Sequence, residues 1–217
     1  MAPRPHPTAA SFVNVMKHPV GWLSRMLLDA EFTGRENVPT TGPFVVTANH
    51  LSLVDPVFVT VAVGELIQFL ALDELFGESK IRDQLMHYFG AIPISRDRPP
   101  LGAIKRGLEV LEAGEVLGVF PEAARAVYWG ERPIRRGAAW LALATNSPIV
   151  PCAITGTDAT MSVHTPAIRV PSIRLSLHPP IYPASYTDME DPLGGMMDDW
   201  KAVLDEQLRH WQSGVTQ

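Results

Sequence analysis

The sequence has one cysteine, Cys152, in 217 residues, which excludes an internal disulfide framework and predicts a reducing compartment. No apolar run approaches the about 18 residues needed to span a bilayer, and Val57 to Val63 is the longest candidate. The opening residues, Met1 to Pro7, lack the apolar stretch of a secretory signal. There is no Walker loop, no G-x-G-x-x-G, no H-E-x-x-H and no Cys/His cluster, so nucleotide hydrolysis, dinucleotide binding and metal catalysis have no motif to stand on. No metal and no cofactor are expected. G-x-S-x-G is also missing, which argues against a hydrolase nucleophile elbow. Positive charge is in deficit, with 18 Lys and Arg against 23 Asp and Glu and a net charge of −5, which speaks against nucleic acid as the main partner. These absences predict a cytoplasmic protein that is free to lie on the inner face of the cell membrane.

What is present is a globular composition, 46% hydrophobic and 19% charged, with the length of one domain. Short β-rich runs alternate with helical periods. Phe44 to Ala48, Leu66 to Leu70, Ala91 to Ile94, Val116 to Phe120 and Ile149 to Ile154 read as strands. Ile173, Leu175 and Leu177 alternate as in a half-exposed strand. Helices are predicted from Asp55-Pro56, with Asp55 as N-cap, and over Ser79 to Phe89. Others are predicted from Leu101 to Leu111, over Arg136 to Thr145, and over Met196 to Trp211. This alternation predicts a single α/β domain with a mostly parallel mixed sheet flanked by helices. Residues 1–30 stand apart from the domain at 31–217. Phe12, Val13, Met16, Trp22, Leu23, Met26 and Leu27 form an apolar stretch interrupted at Pro19. It reads either as a helix packed on its own domain or as one that dips into a lipid surface.

Ligands of parallel sheets sit beyond the carboxyl ends of strands. Three such ends carry chemistry: Asn49-His50 with Asp55, Arg96 with Arg98, and Glu122 with Arg125. The H-x-x-x-x-D spacing lets a carboxylate at a helix start reach an imidazole, fix its tautomer and make it a general base. With no protein nucleophile beside it, that base suits a reaction whose substrate supplies the nucleophilic hydroxyl. Arg96 and Arg98 suit phosphate, and Glu122 with Arg125 reads equally well as an ion pair. Arg132, Arg135 and Arg136 precede a helix N-terminus, where cations do not help the helix dipole, and this favours anion binding.

Taken together, these blocks resemble the glycerophospholipid acyltransferases of the PlsC, or lysophosphatidic acid acyltransferase, type. Asn49, His50 and Asp55 match N-H-x-x-x-x-D; Gly90, Ile92, Ile94 and Arg96 match G-x-I-x-[IV]-x-R. Phe120, Pro121, Glu122 and Arg125 match F-P-E-G-T-R, and Val150, Pro151 and Ile154 match V-P-x-x-I. The resemblance runs from about Phe32 to Asp158. It implies transfer of a fatty acyl group from acyl-CoA or acyl-carrier protein to a lysophospholipid hydroxyl at a membrane surface, in phospholipid biosynthesis. The acceptor it implies first is 1-acyl-glycerol-3-phosphate. His50 would be the base and Asp55 its orienting partner, with Arg96 and Arg125 on the acceptor phosphate and Glu122 positioning the acceptor. The third block departs from the pattern at Ala123, Ala124 and Ala126, and Leu72 stands where a lysine is frequent. Those departures favour two alternatives: a lyso-lipid or alcohol acceptor without the phosphate, or a non-catalytic protein that binds lipid or acyl-CoA.

Overall fold

The structure is a computed structural model and describes residues 5–77, 79–95, 101–158 and 172–214. It is built on one seven-stranded sheet: β1 (Glu31–Thr33), β2 (Phe44–Ala48), β3 (Ile67–Leu72), β4 (Ile92–Ile94), β5 (Val116–Val119), β6 (Ile149–Thr155) and β7 (Arg174–Leu177). Their order is β1-β7-β6-β2-β5-β3-β4. The five strands from β6 to β4 run parallel, while β7 pairs antiparallel with β6 and parallel with β1. The carboxyl ends of β2, β3, β4, β5 and β6 therefore share one rim.

Helices cover both faces. On one side lie α1 (Ala9–Leu28) and α2 (Asp55–Val63); on the other lie α4 (Leu101–Glu112), α5 (Gly137–Thr145) and α6 (Pro192–Gln212). Helix α3 (Lys80–Tyr88) precedes the edge strand β4. Strand β2 is central and buried throughout, as its unbroken Phe-Val-Val-Thr-Ala run requires. Helices α2 and α5 are apolar on most of their circumference because each is wedged between the sheet and other helices. Trp200 of α6 is fully buried beneath the sheet and donates its Nε1–H to the Thr47 carbonyl at 3.3 Å, which satisfies its one polar atom.

Three local expectations change. The apolar stretch interrupted at Pro19 forms one continuous helix: α1 runs through Pro19 and packs along α2. The carbonyl that Pro19 leaves without a donor is that of Val15, which is exposed, so water can take it. The 173–177 strand is covered rather than half-exposed: Ile173, Leu175 and Leu177 pack in the apolar layer that contains α2, and Ser176 is buried as well. Helix α6 starts at Pro192, four residues earlier than its apolar pattern, because the Asp191 side chain accepts the Gly194 amide and caps it.

One glycine connects the sheet to the rim. Gly118 of β5 pairs with Phe69 of β3, and a Cβ at Gly118 would lie 2.3 Å from the Phe69 ring. The Phe69 ring stacks on Phe120 at 5.4 Å between centroids. Gly118→Ala should therefore destabilise the fold by about 1–3 kcal/mol through overpacking. It should also displace the Phe69–Phe120 pair. Chemical denaturation checks the first expectation, and near-ultraviolet circular dichroism checks the second.

Candidate active site

The chain leaves β2 at Ala48 and turns through Asn49 into α2. Asn49 is buried and acts as a bridge: its Nδ2 donates to the Ile154 carbonyl at 2.8 Å, and its Oδ1 accepts the Ile154 amide at 2.9 Å. This amide pair fixes the loop against β6. His50 comes next, at the rim. Its Nδ1 lies 2.9 Å from Asp55 Oδ2. The same oxygen accepts the amides of Leu51 and Ser52, each at 2.7 Å. An oxygen with that many donors is an ionised acceptor, so the proton between the pair sits on Nδ1 and Nε2 keeps its lone pair. The imidazole is 16% exposed and Asp55 is fully buried.

Asp55 is not the N-cap of α2. Val54 holds that place, and Asp55 is the first helical residue, followed by Pro56. Its carboxylate turns back over the loop instead of capping forward. It remains in the first turn, where the helix dipole favours negative charge.

The loop after β5 supplies the second wall. The His50 ring stacks on Phe120 with centroids 4.0 Å apart and planes 17° from parallel. Glu122 Oε1 accepts the His50 amide at 3.1 Å, and the Ala126 amide donates to the His50 carbonyl at 2.8 Å. His50 is thus gripped at its ring, its amide and its carbonyl. Glu122 is only 5% exposed and its Oε2 has no partner. Burial pushes its carboxyl up to about 7, with the Asp55 charge adding to the rise, while backbone amides and Arg132 oppose it. Glu122 forms no ion pair with Arg125; what it holds is the His50 loop.

Arg125 is half-buried in this loop, and its carbonyl accepts Arg132 Nε at 3.0 Å. Of the three arginines before α5, Arg136 is already neutralised by Asp191 at 2.8 Å, which removes it from the expected anion-binding set. Arg96 lies outside the described residues, as do Arg98 and the side chain of Leu72. Strand β4, which leads to Arg96, sits two strands from β5, about 10 Å across the sheet. Among the described residues no protein nucleophile faces the dyad: Ser52 is fully buried, and Cys152 is buried in β6 with its thiol pushed far up by burial. Among the described residues, no group of three or more His, Cys, Asp or Glu is placed to hold a metal ion.

The structure brings His50, Asp55 and Glu122 together at this rim, with Arg125 on the same loop as Glu122. The sequence does not announce the aromatic floor of Phe69 and Phe120, nor the Arg132 contact with Arg125. The arrangement can take a proton from a hydroxyl at Nε2, in a partly dry site with cationic side chains nearby.

A family model described as Acyltransferase matches residues 29–155. The chain is 33% identical over 125 residues to a 1-acyl-sn-glycerol-3-phosphate acyltransferase of Bacillus subtilis, covering 56% of this chain and 60% of that protein. It is 28% identical over 156 residues to a chloroplastic protein of the same description from Brassica napus, covering 70% of this chain and 45% of that one. The chain thus spans about half the length of the curated relatives it matches. A solved structure of 1-acyl-sn-glycerophosphate acyltransferase from Thermotoga maritima superposes with a TM-score of 0.68 at 22% identity, over 91% of this chain and 80% of that one. It has the same fold.

The buried Glu122 gives a pH dependence with a definite sign. Stability from keeping this carboxyl neutral is fully present below about 4.5, its ordinary value, and is lost as pH rises through about 7. Glu122→Gln keeps an acceptor for the His50 amide and removes the titration. Relative to the parent protein it should gain stability between pH 5 and 8, on the order of 3 kcal/mol at most. Urea denaturation of both proteins across that range checks the trend.

Proposed function

The chain belongs to the acyltransferase family, and we propose that it moves a fatty acyl group from an acyl thioester to the hydroxyl of a lysophospholipid. The thioester is carried by coenzyme A or by an acyl-carrier protein. The acceptor put first is 1-acyl-sn-glycerol 3-phosphate, the molecule named in its relatives. The observation that carries this reading is the His50–Asp55 pair at 2.9 Å, with Nε2 available and, among the described residues, no protein nucleophile beside it. His50 Nε2 takes the hydroxyl proton as the acceptor oxygen bonds to the thioester carbonyl carbon. The tetrahedral intermediate then expels the thiolate, which takes from the imidazolium the proton that came from the acceptor hydroxyl. Asp55 stabilises that imidazolium and keeps its Nδ1 proton in place. Arg125, with Arg96, is the expected holder of the acceptor phosphate. Glu122 acts on the acceptor through His50, whose amide it fixes.

The same chemistry on an acceptor lacking the phosphate is favoured by one feature: Ala124 puts a methyl on the half-buried loop where the family pattern has a hydroxyl. Mass spectrometry of products from purified protein, acyl-CoA and a panel of phosphorylated and neutral lyso-lipids separates the two. His50→Ala should reduce acyl transfer by about 10²–10⁴-fold with the circular dichroism spectrum unchanged. Asp55→Asn should cost less, since a neutral amide still accepts a hydrogen bond. Near-normal turnover by folded His50→Ala protein would refute the mechanism.

The reading includes peripheral attachment to the inner face of the cell membrane through residues 1–30. No helix among the described residues is long and apolar enough to cross a membrane. Trp22 and Met26, one helical turn apart on α1, are 63% and 60% exposed, with Val15, Leu23 and Leu27 exposed around them. Such a face suits the boundary of headgroups and acyl chains. Trp22→Glu with Met26→Glu should move the protein from the vesicle fraction to the bottom of a flotation gradient. The fold should survive, since neither side chain is in the core.

A further inference from the structure

We infer that Arg132 joins Arg125 in a two-arginine wall beside His50 that takes a phosphate monoester dianion. This deepens the acyl-transfer reading and rests on it.

Three observations carry it. The loop that bears both arginines is fastened to the catalytic turn at two points, through the Ala126 amide on the His50 carbonyl and Glu122 Oε1 on the His50 amide. Arg132 Nε donates to the Arg125 carbonyl at 3.0 Å, which folds residues 126–132 back on themselves and returns a second cation to the third block. Ala126, the residue after Arg125, donates its amide to the His50 carbonyl at 2.8 Å, so the Arg132–Arg125 contact holds the Arg132 guanidinium close to the His50 backbone. With Nε occupied, the terminal nitrogens of Arg132 keep their four N–H donors. Among the described residues none of these donors meets a carboxylate. The neighbouring acid, Glu131, is engaged by the Val127 amide at 2.5 Å. Arg136, by contrast, has its partner in Asp191. A tethered, exposed guanidinium suits the paired oxygens of a phosphate. It also offers cationic donors where the loop, with Ala124 in place of threonine, lacks a hydroxyl.

Two molecules of the proposed reaction carry a phosphate monoester: the lysophosphatidate acceptor and the 3′-phosphate end of coenzyme A. The test compares the parent protein with Arg132→Ala, Arg132→Lys and Arg136→Gln. Acceptors are lysophosphatidate and monoacylglycerol; donors are acyl-CoA and acyl-pantetheine. Arg132→Ala should raise the KM of the phosphorylated partner about tenfold with kcat little changed. Lysine should recover part of the loss, and Arg136→Gln should match the parent. The effect should shrink at high salt, because the group is exposed. A rise confined to lysophosphatidate identifies the acceptor phosphate. A rise with acyl-CoA and not acyl-pantetheine identifies the donor; either result supports the wall. Unchanged KM for every phosphorylated substrate, or an equal fall in kcat with neutral and phosphorylated substrates alike, overturns it. Phosphorus NMR titrations with sn-glycerol 3-phosphate and adenosine 3′,5′-bisphosphate need no turnover. Arg132-dependent binding by a protein that transfers no acyl group would sink the acyl-transfer reading and keep the wall. Loss of both would sink both.

Discussion

One carboxylate oxygen, Asp55 Oδ2, holds the site together. It collects the His50 ring and the amides of Leu51 and Ser52 while fully buried. A buried carboxylate is tolerated only when its charge is met by donors; here all of them belong to the turn that the carboxylate shapes and converge on Oδ2, while Oδ1, also buried, has none. The same group sits in the first turn of α2, where the backbone dipole adds to the stabilisation. Pro56 follows it with no penalty, because an amide at that position would have no helical acceptor. Orientation of the imidazole, closure of the turn and initiation of α2 are therefore one event. A change at Asp55 acts on all three.

The sheet register does the rest. Strands β2 and β5 are neighbours, with Thr47 opposite Val119, so His50 and Glu122 each stand three residues beyond the same pair. That places the Glu122 carboxyl level with the His50 amide before any side chain is considered. On the other side of β2, Ala48 pairs with Cys152, which brings Ile154 within reach of Asn49. The three central strands thus meet at His50 from both sides. The parallel arrangement that produces this is buried on both faces, with two apolar layers of helices fixing its position.

The strand–helix alternation made the architecture legible, and the H-x-x-x-x-D spacing made the dyad legible, because both depend on local periods. What depended on pairing did not show. Strand β1 is three residues long and carries no pattern, yet it pairs with β7 and makes that strand an interior member of the sheet. Glu122 and Arg125 are three residues apart, a spacing that reads equally well as an ion pair. Only the register reveals that the carboxyl is committed to His50. Phe120 belonged to a recognised block, but its partner Phe69 comes from β3 and its stacking on His50 arises across strands. The Arg132 contact closes a seven-residue loop through a backbone carbonyl, which leaves no mark in composition.

Ala123 shows how far a change in sequence can leave geometry untouched. The position adopts φ +58, the left-handed conformation that the family pattern fills with glycine. An alanine there costs roughly 1–2 kcal/mol. The loop keeps the conformation because its neighbours allow no other: the Ala123 amide donates to the Phe120 carbonyl at 3.0 Å, the Ala126 amide to His50, and the Arg135 amide to the Pro121 carbonyl at 2.9 Å. These bonds, with Glu122 beneath, over-determine the backbone and absorb the strain. Ala123 therefore departs from the pattern in its side chain while retaining the turn, and its methyl is directed to solvent-exposed space. Ala124 is different in kind. It preserves the backbone too, but it deletes a hydroxyl at a half-buried place in the site wall. Of the two replacements, the one at Ala123 is a matter of backbone conformation, and the one at Ala124 is a matter of side-chain chemistry.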